Sequence, residues 1–150
     1  MKGVVVHISV ETDPVLLDTE VLIRCVEIDE KIESIISSLA LHERKVVGKH
    51  GDETLYIPIS EVLYFEHVER RTFAYTLSEV FEVPYKLYEL EEQYSKCGFE
   101  RIAKNCILNL CRVNSLSPYV GGRLLATLSN GEKVLVSRNY STNIKARLSA

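Results

Sequence analysis

From residue 44 onward, short runs rich in valine, isoleucine and aromatics are cut apart by turn residues, and that punctuation restricts the chain to a mostly antiparallel β fold. Lys45–His50 reaches Gly51-Asp52, and Glu53–Pro58 returns as its hairpin partner. Residues 59–61 read as a short turn, 62–66 (Val-Leu-Tyr-Phe-Glu) as a buried strand, 69–71 (Glu-Arg-Arg) as a polar tip, and 72–77 and 80–83 as further strands. Pro84 suits the first position of a helix. Over 86–96, Leu87, Leu90 and Tyr94 share one helical face opposite Glu89, Glu91 and Glu92, and Gly98 ends the helix. Strands are expected over 102–110, 113–119, 123–128 and 133–136. The last two are joined by Ser129-Asn130-Gly131-Glu132, where Asn-Gly predicts a type I′ turn. Ser137 is placed to cap a final short helix with Tyr140, Ile144 and Leu148 four apart.

The first 43 residues read as a separate β-β-α unit. Strands are expected over 4–10 and 20–26. A helix is expected over 29–41, with Ile32, Ile35, Ile36, Leu39 and Ala40 at helical spacing and Asp29, Glu30 and Glu33 in its first turn. So small a unit holds little core of its own. It is expected to pack on the rest or on a second copy, as a dimerisation unit. The fold class is therefore mainly β (α+β): an elongated stack of antiparallel β-sheets with one central helix, preceded by a β-β-α extension, with domains at 1–43 and 44–150.

An apolar fraction of 46% supports a real core. No apolar run is long enough to span a membrane and the N-terminus lacks a secretory h-region, so a cytoplasmic location is expected. The four cysteines form no C-x-x-C pair and read as small buried apolar residues, with Cys106 and Cys111 facing opposite sides of a strand. His7, His42, His50 and His67 are scattered, without metal-ligand spacing. Gly121-Gly122 lacks the rest of a phosphate loop and reads as a turn, there is no G-x-S-x-G, and Glu91-Glu92 and Asp52-Glu53 read as solvated acids. No catalysis, cofactor, metal or small-molecule substrate is expected.

The formal net charge of −3 hides a polarity. Residues 1–43 carry three Lys/Arg against nine Asp/Glu, whereas residues 101–150 carry eight against one. Within 99–117, Arg101, Lys104, Asn105, Asn109, Arg112 and Asn114 alternate with apolar residues, and no acid follows Glu100 until Glu132. Cations and amides without carboxylates suit a polyanion. They concentrate at three connections: Arg70 and Arg71 between two strands, Lys104 and Asn105 where the chain enters a strand, and Arg138 and Asn139 before the last helix. Arg and Lys neutralise phosphate, and Arg, Lys and Asn make paired hydrogen bonds to purine edges. Together these loops read DNA if the sheet brings them to one edge.

Three blocks carry a family resemblance: Ile-Pro-Ile-Ser-Glu-Val-Leu-Tyr-Phe-Glu (57–66), the helix followed by Phe-Glu-Arg-Ile-Ala-Lys-Asn-Cys-Ile-Leu-Asn (87–109), and Leu-Ser-Asn-Gly-Glu-Lys-Val-Leu-Val-Ser-Arg-Asn-Tyr (128–140). In order and spacing, over roughly 44–148, the chain resembles LytTR-type DNA-binding domains. The resemblance implies stacked antiparallel sheets and duplex DNA held through loops entering successive major grooves. Its contact positions fall at Arg70 or Arg71, at Lys104 and Asn105, and at Arg138 and Asn139. Ala103 departs from the family, which often has His or Ser there. The 43 residues in front are too few for a phosphorylation receiver. The resemblance therefore implies a stand-alone bacterial regulator, a class often encoded with a small integral-membrane inhibitor protein.

Two other classes make different predictions. A β-rich protein-interaction module would use the acidic N-terminal unit as its working surface, and its binding would lack the steep salt dependence of a phosphate contact. A small-ligand-binding β domain would contain a deep apolar pocket.

Overall fold

A computed structural model describes residues 5–41 and 44–149. After helix α1 (Glu30–Leu41) come β1 (Lys45–His50), β2 (Glu53–Pro58), β3 (Val62–Val68), β4 (Arg71–Thr76) and β5 (Val80–Val83). Helix α2 (Leu87–Tyr94) follows. Then come β6 (Phe99–Ala103), β7 (Cys106–Asn109), β8 (Val113–Tyr119), β9 (Arg123–Leu128), β10 (Lys133–Val136) and α3 (Arg138–Ser149). One sheet has seven strands in the order β2-β1-β5-β4-β3-β7-β6, and a second has three in the order β10-β9-β8. The strand pairs in both are antiparallel.

The large sheet is buried on both faces at its centre, which is why β3 opens with four consecutive buried residues and β7 is buried throughout. Strand alternation divides them. Ile107 faces a core with Val62, Phe65, Phe99 and the Leu87, Leu90 and Tyr94 stripe of α2. Cys106 and Leu108 face the opposite core, with Leu124, Leu128 and Val136 of the small sheet and Ile144 of α3. Burying each such Leu, Ile or Phe stabilises by about 1.5–3 kcal/mol. Phe65, Tyr94 and Phe99 pack with ring centroids 5.6–6.4 Å apart, joining β3, α2 and β6. The layers are therefore α2, large sheet, then small sheet with α3, an α+β stack of antiparallel sheets as the resemblance implies.

Polar ties fix the layers against each other. Asn109, 1% exposed, donates from Nδ2 to the Val62 carbonyl (2.9 Å) and accepts from the Cys111 N–H (3.1 Å). Arg112 donates twice to the Ser60 carbonyl, at 3.1 and 2.8 Å. The Tyr64 hydroxyl donates to Glu132 at 2.6 Å, hooking the β9–β10 tip onto the large sheet. Burial first, then that carboxylate, hold the Tyr64 phenol above its ordinary pKa.

Several local expectations change. The run expected as one strand over 102–110 is a hairpin, with β6 and β7 joined by Lys104-Asn105. Periodicity alone hides a two-residue turn flanked by apolar residues on both sides. Helix α2 starts at Leu87, not at Pro84, because Lys86 is extended (φ −85°, ψ 154°) and the Glu89 carboxylate accepts its N–H at 3.0 Å. The β9–β10 turn is not type I′. Leu128 N donates to Glu132 O, leaving the three-residue loop Ser129-Asn130-Gly131 with only Gly131 left-handed (φ 87°).

The N-terminal strands are the larger correction. Among the described residues before α1 there is no strand; residue 4, the expected start of the first, lies outside the described residues. A strand needs a hydrogen-bonded neighbour, and these runs reach no sheet edge: Val5, Val6, Ile8 and Val10, then Val21 and Leu22, are half or more exposed. The helix does form. Asp29 Oδ1 accepts the Ile32 N–H (2.9 Å) at its start, and α1 touches the body at Ser95–Cys97. Ile36 and Leu39 remain exposed, while the Ala40 side chain and His42 lie outside the described residues.

Candidate nucleic-acid interface

The first loop is a two-residue hairpin. Val68 pairs with Arg71, and Glu69 and Arg70 between them are both left-handed, at φ 50° and 69°. That is type I′ geometry, normally the province of Asn and Gly; side chains with a Cβ raise its energy by about 1–2 kcal/mol per residue. Strain of this kind persists only where the surrounding structure imposes it, here the β3–β4 pairing on either side of the turn. Arg70 is exposed. Arg71 is also exposed and lies 3.7 Å from Glu82, a loose surface pair.

The second loop, Lys104-Asn105, is anchored through its carbonyls. His67 N donates to Asn105 O at 2.8 Å, tying it to β3 just before the first loop. Arg101 donates from Nη1 to Lys104 O (2.7 Å) and from Nε to Glu91 of α2 (2.8 Å). Glu91 is thus the anchor of the arginine that supports this loop, not a solvated acid. With their backbone pinned, the Lys104 and Asn105 side chains stand exposed.

The third site opens α3. Ser137 N donates to Ile102 O at 2.8 Å, so the helix starts beside the end of β6 that leads into the second loop. Arg147 further along α3 pairs with Glu100 at 2.8 Å, so the helix runs back along that strand. Arg138 and Asn139 are exposed in its first turn. The aliphatic stem of Arg138 rests on the Gly121-Gly122 turn, where a Cβ on Gly122 would meet it at 3.1 Å. Ser141 Oγ holds that turn by donating to Gly122 O (2.9 Å).

Three backbone-pinned connections therefore follow one another: first loop to second through His67, second to third through β6. Among the described residues, Arg70, Lys104 and Arg138 carry no ion pair. Other cations of the basic half are spent inside the fold: Arg101 on Glu91, Arg112 on Ser60, Arg123 on the Val120 carbonyl and the Tyr119 ring, and Arg147 on Glu100. The charge excess in sequence thus overstates the free positive surface: among the described residues of 101–150, Lys104 and Arg138 at the connections, and Lys133 and Lys145 away from them, are the exposed cations without an ion pair.

A cleft of about 880 Å³ lies between the first two loops and residues 83–88. It is open and rimmed by cations over a largely apolar lining, without the enclosure of a deep ligand pocket. Lys86 and Tyr88 on its far wall are exposed and escaped the sequence reading, since a strand-to-helix connection gives no local sign of which loops it faces. Cys106 beside the second loop is buried, and burial pushes its thiol up to about 12. Cys97 is buried too, but Cys111 and Cys25 are exposed, contrary to the expectation of four core cysteines.

The molecule is thus a mainly β domain with exposed cations at its connections, and with α2 and α3 packed against its sheets. The LytTr DNA-binding domain profile matches residues 52–149, and the chain belongs to the LytTR DNA-binding domain family. An uncharacterized HTH-type transcriptional regulator of Staphylococcus aureus (strain NCTC 8325) is 29% identical over 125 residues, covering 82% of this chain and 84% of the relative. A counterpart from the bovine strain RF122 is 30% identical over the same shares. The sensory transduction protein LytT of Enterococcus faecalis is 27% identical over 99 residues, 65% of this chain and 41% of that protein. Among solved structures, the LytTr DNA-binding domain of a putative methyl-accepting/DNA response regulator from Bacillus cereus superposes with a TM-score of 0.67. It has 26% identity and covers 71% of this chain and 98% of that one.

Proposed function

We propose that this protein is a bacterial transcription regulator that binds duplex DNA in a sequence-dependent way through three connections, with Arg70 or Arg71, Lys104 and Asn105, and Arg138 and Asn139 entering successive major grooves. Family membership supports the DNA-binding regulator class. The observation that carries the finer reading is the chain of backbone hydrogen bonds, His67 to Asn105 and Ser137 to Ile102, which sets three exposed cationic connections in series along the β scaffold. Preorganised turns avoid the entropy of ordering a loop on binding. Arg and Asn then supply bidentate contacts to guanine and adenine edges.

The test is selection of bound duplexes from a random pool, followed by anisotropy titration of the winner. Arg138→Ala is expected to weaken the selected duplex by about 1–3 kcal/mol and to relax specificity at one position. Wild-type affinity in that variant removes the third site. The log–log salt slope is expected near −0.9 per neutralised phosphate; a flat response leaves the protein-interaction alternative.

We further propose that residues 1–43 join two copies. Support comes from the apolar side chains that segment leaves in water, Ile8, Val10, Leu17, Leu22 and Val26 among them, a concentration that monomers rarely tolerate. Deleting residues 1–43 is expected to take the sedimentation mass from that of a dimer of the 150-residue chain to that of a monomer of the shortened one. A mass that remains that of a dimer of the shortened chain dismisses the idea. A monomeric intact chain instead leaves that surface to the small integral-membrane inhibitor that such regulators accompany. Among the described residues no helix is long and apolar enough to cross a membrane; a DNA ligand places the work of the chain in the cytoplasm.

A further inference from the structure

We propose that the cleft between the first two loops seats one stretch of sugar–phosphate backbone of the bound duplex, with Lys86 and Tyr88 as contacts additional to the three loop sites. The proposal rests on the DNA-binding reading above and assigns a role to a wall of the domain that none of the loop positions includes. The two loops flank the cleft of about 880 Å³. If both reach base edges, the strand between those contacts must pass across it, and a duplex carries one negative charge per about 1.7 Å of its axis.

The lining fits that occupant. Arg70, Arg71, Lys86, Arg101 and Lys104 face it, with Glu82 as the one carboxylate in the lining, and Glu82 is taken up by Arg71. Arg101 is held by Glu91. That leaves Arg70, Lys86 and Lys104, from the first loop, the strand-to-helix connection and the second loop, and among the described residues none of them has an ion pair. Val83, Pro84, Tyr85 and Leu87 supply apolar lining between them. A cationic rim over an apolar lining suits phosphates above deoxyribose rings, whereas a base edge would leave its polar groups facing that lining unpaired. Tyr88 is 60% exposed although Leu87 and Leu90 beside it are buried, so the core does not explain its position. The start of α2 is not the anion site, because the Glu89 carboxylate already takes the Lys86 N–H. The Lys86 ammonium and the Tyr88 hydroxyl remain as donors. The walls keep a set spacing, since Arg101 bridges α2 to the Lys104 carbonyl and His67 ties the second loop to β3.

The test uses the full chain, the selected duplex and a duplex of unrelated sequence, with anisotropy read across a salt series. Lys86→Gln is expected to weaken both duplexes by the same factor, about tenfold, as for one charge-assisted hydrogen bond, and to lower the salt slope by about 1. Tyr88→Phe is expected to weaken both by a smaller common factor with the slope unchanged. Lys86→Arg is expected to retain the slope, and Lys96→Gln, outside the cleft, to behave as wild type. Wild-type affinity and slope in Lys86→Gln, while Arg138→Ala still weakens the selected duplex, would overturn the backbone seat and leave the loop reading standing. Loss confined to the selected duplex would overturn it too, as the mark of a base contact. If neither Lys86→Gln nor Arg138→Ala alters binding, both readings fall together.

Discussion

Replacing Arg70 by glycine separates what the first loop does for folding from what it does for binding. Arg70 sits at φ 69° in a two-residue turn whose other central residue, Glu69, is also left-handed. Relief of the Cβ clash is worth about 1–2 kcal/mol. The extra freedom of glycine in the unfolded chain gives back about 0.4–1 kcal/mol. The net expectation for Arg70→Gly is about 0.5–1 kcal/mol of added stability, or a melting temperature up by about 1–4 °C at this chain length. Arg70→Ala keeps the clash and removes only the guanidinium, so it should melt near wild type. On the proposal that Arg70, rather than Arg71, is the first-loop contact, both variants should bind the selected duplex about 5–150-fold more weakly, the range for one base-reading arginine. Calorimetry and anisotropy on the three proteins decide the matter. The reasoning fails if glycine lowers the melting temperature, if alanine raises it as much as glycine does, or if either binds DNA like wild type.

Glu91→Gln cuts the ion pair of Arg101 while leaving the second loop residues intact; DNA affinity is expected to fall severalfold, with a melting temperature within about 2 °C of wild type because the Glu91 side chain is 41% exposed. Unchanged affinity would mean the loop keeps its shape without the brace. Native protein should release only the exposed Cys25 and Cys111 to a thiol reagent at neutral pH, with Cys106 reacting on unfolding. Rapid modification of Cys106 would contradict its burial. Because the Cys106 thiol is raised to about 12 from its ordinary 9, the unfolded chain gives up that proton first, so stability should fall as pH climbs from 9 towards 12. Cys106→Val should make that fall shallower in a urea-unfolding profile, leaving the share that comes from Tyr64, Tyr75 and Tyr94, whose phenols burial also raises. Tyr64→Phe, which strips the 2.6 Å hydrogen bond from Glu132, should cost about 1–3 kcal/mol in the same assay; no loss would show that Glu132 finds water as a substitute.

Local patterns reached far into this fold. Gly98, left-handed at φ 89°, ends the α2 region as its position suggests, and Leu87, Leu90 and Tyr94 bury the face they were expected to bury. Strands over 45–50, 53–58, 80–83, 113–119, 123–128 and 133–136 follow from alternation and turn residues alone. Those signals act within a few residues, so they are complete in the chain. The Lys104-Asn105 hairpin escaped because apolar residues, Ile102-Ala103 and Cys106-Ile107, flank the turn on both sides and no glycine marks it. The N-terminal strands failed for the opposite reason: Val5–Val6 and Val21–Leu22 have strand composition, but a strand also needs a neighbour, and none is offered in the single chain.

The candidate site divides in the same way. Residue types and their place at connections between elements were legible from composition, because charge and amide chemistry need no partner to be recognised. Which cations are free was a tertiary outcome. Arg101, Arg112, Arg123 and Arg147 look like Arg70 and Arg138 in sequence, yet only packing reveals that a carboxylate or carbonyl waits within 3.1 Å of each of the first four. The sequence alone determined that this chain builds antiparallel layers with basic turns, since alternation, turn chemistry and charge are written residue by residue. Only the tertiary structure decided that the three turns follow one another through His67 and Ile102 and that a cleft opens between two of them, because those relations depend on strand order, which joins residues tens of positions apart.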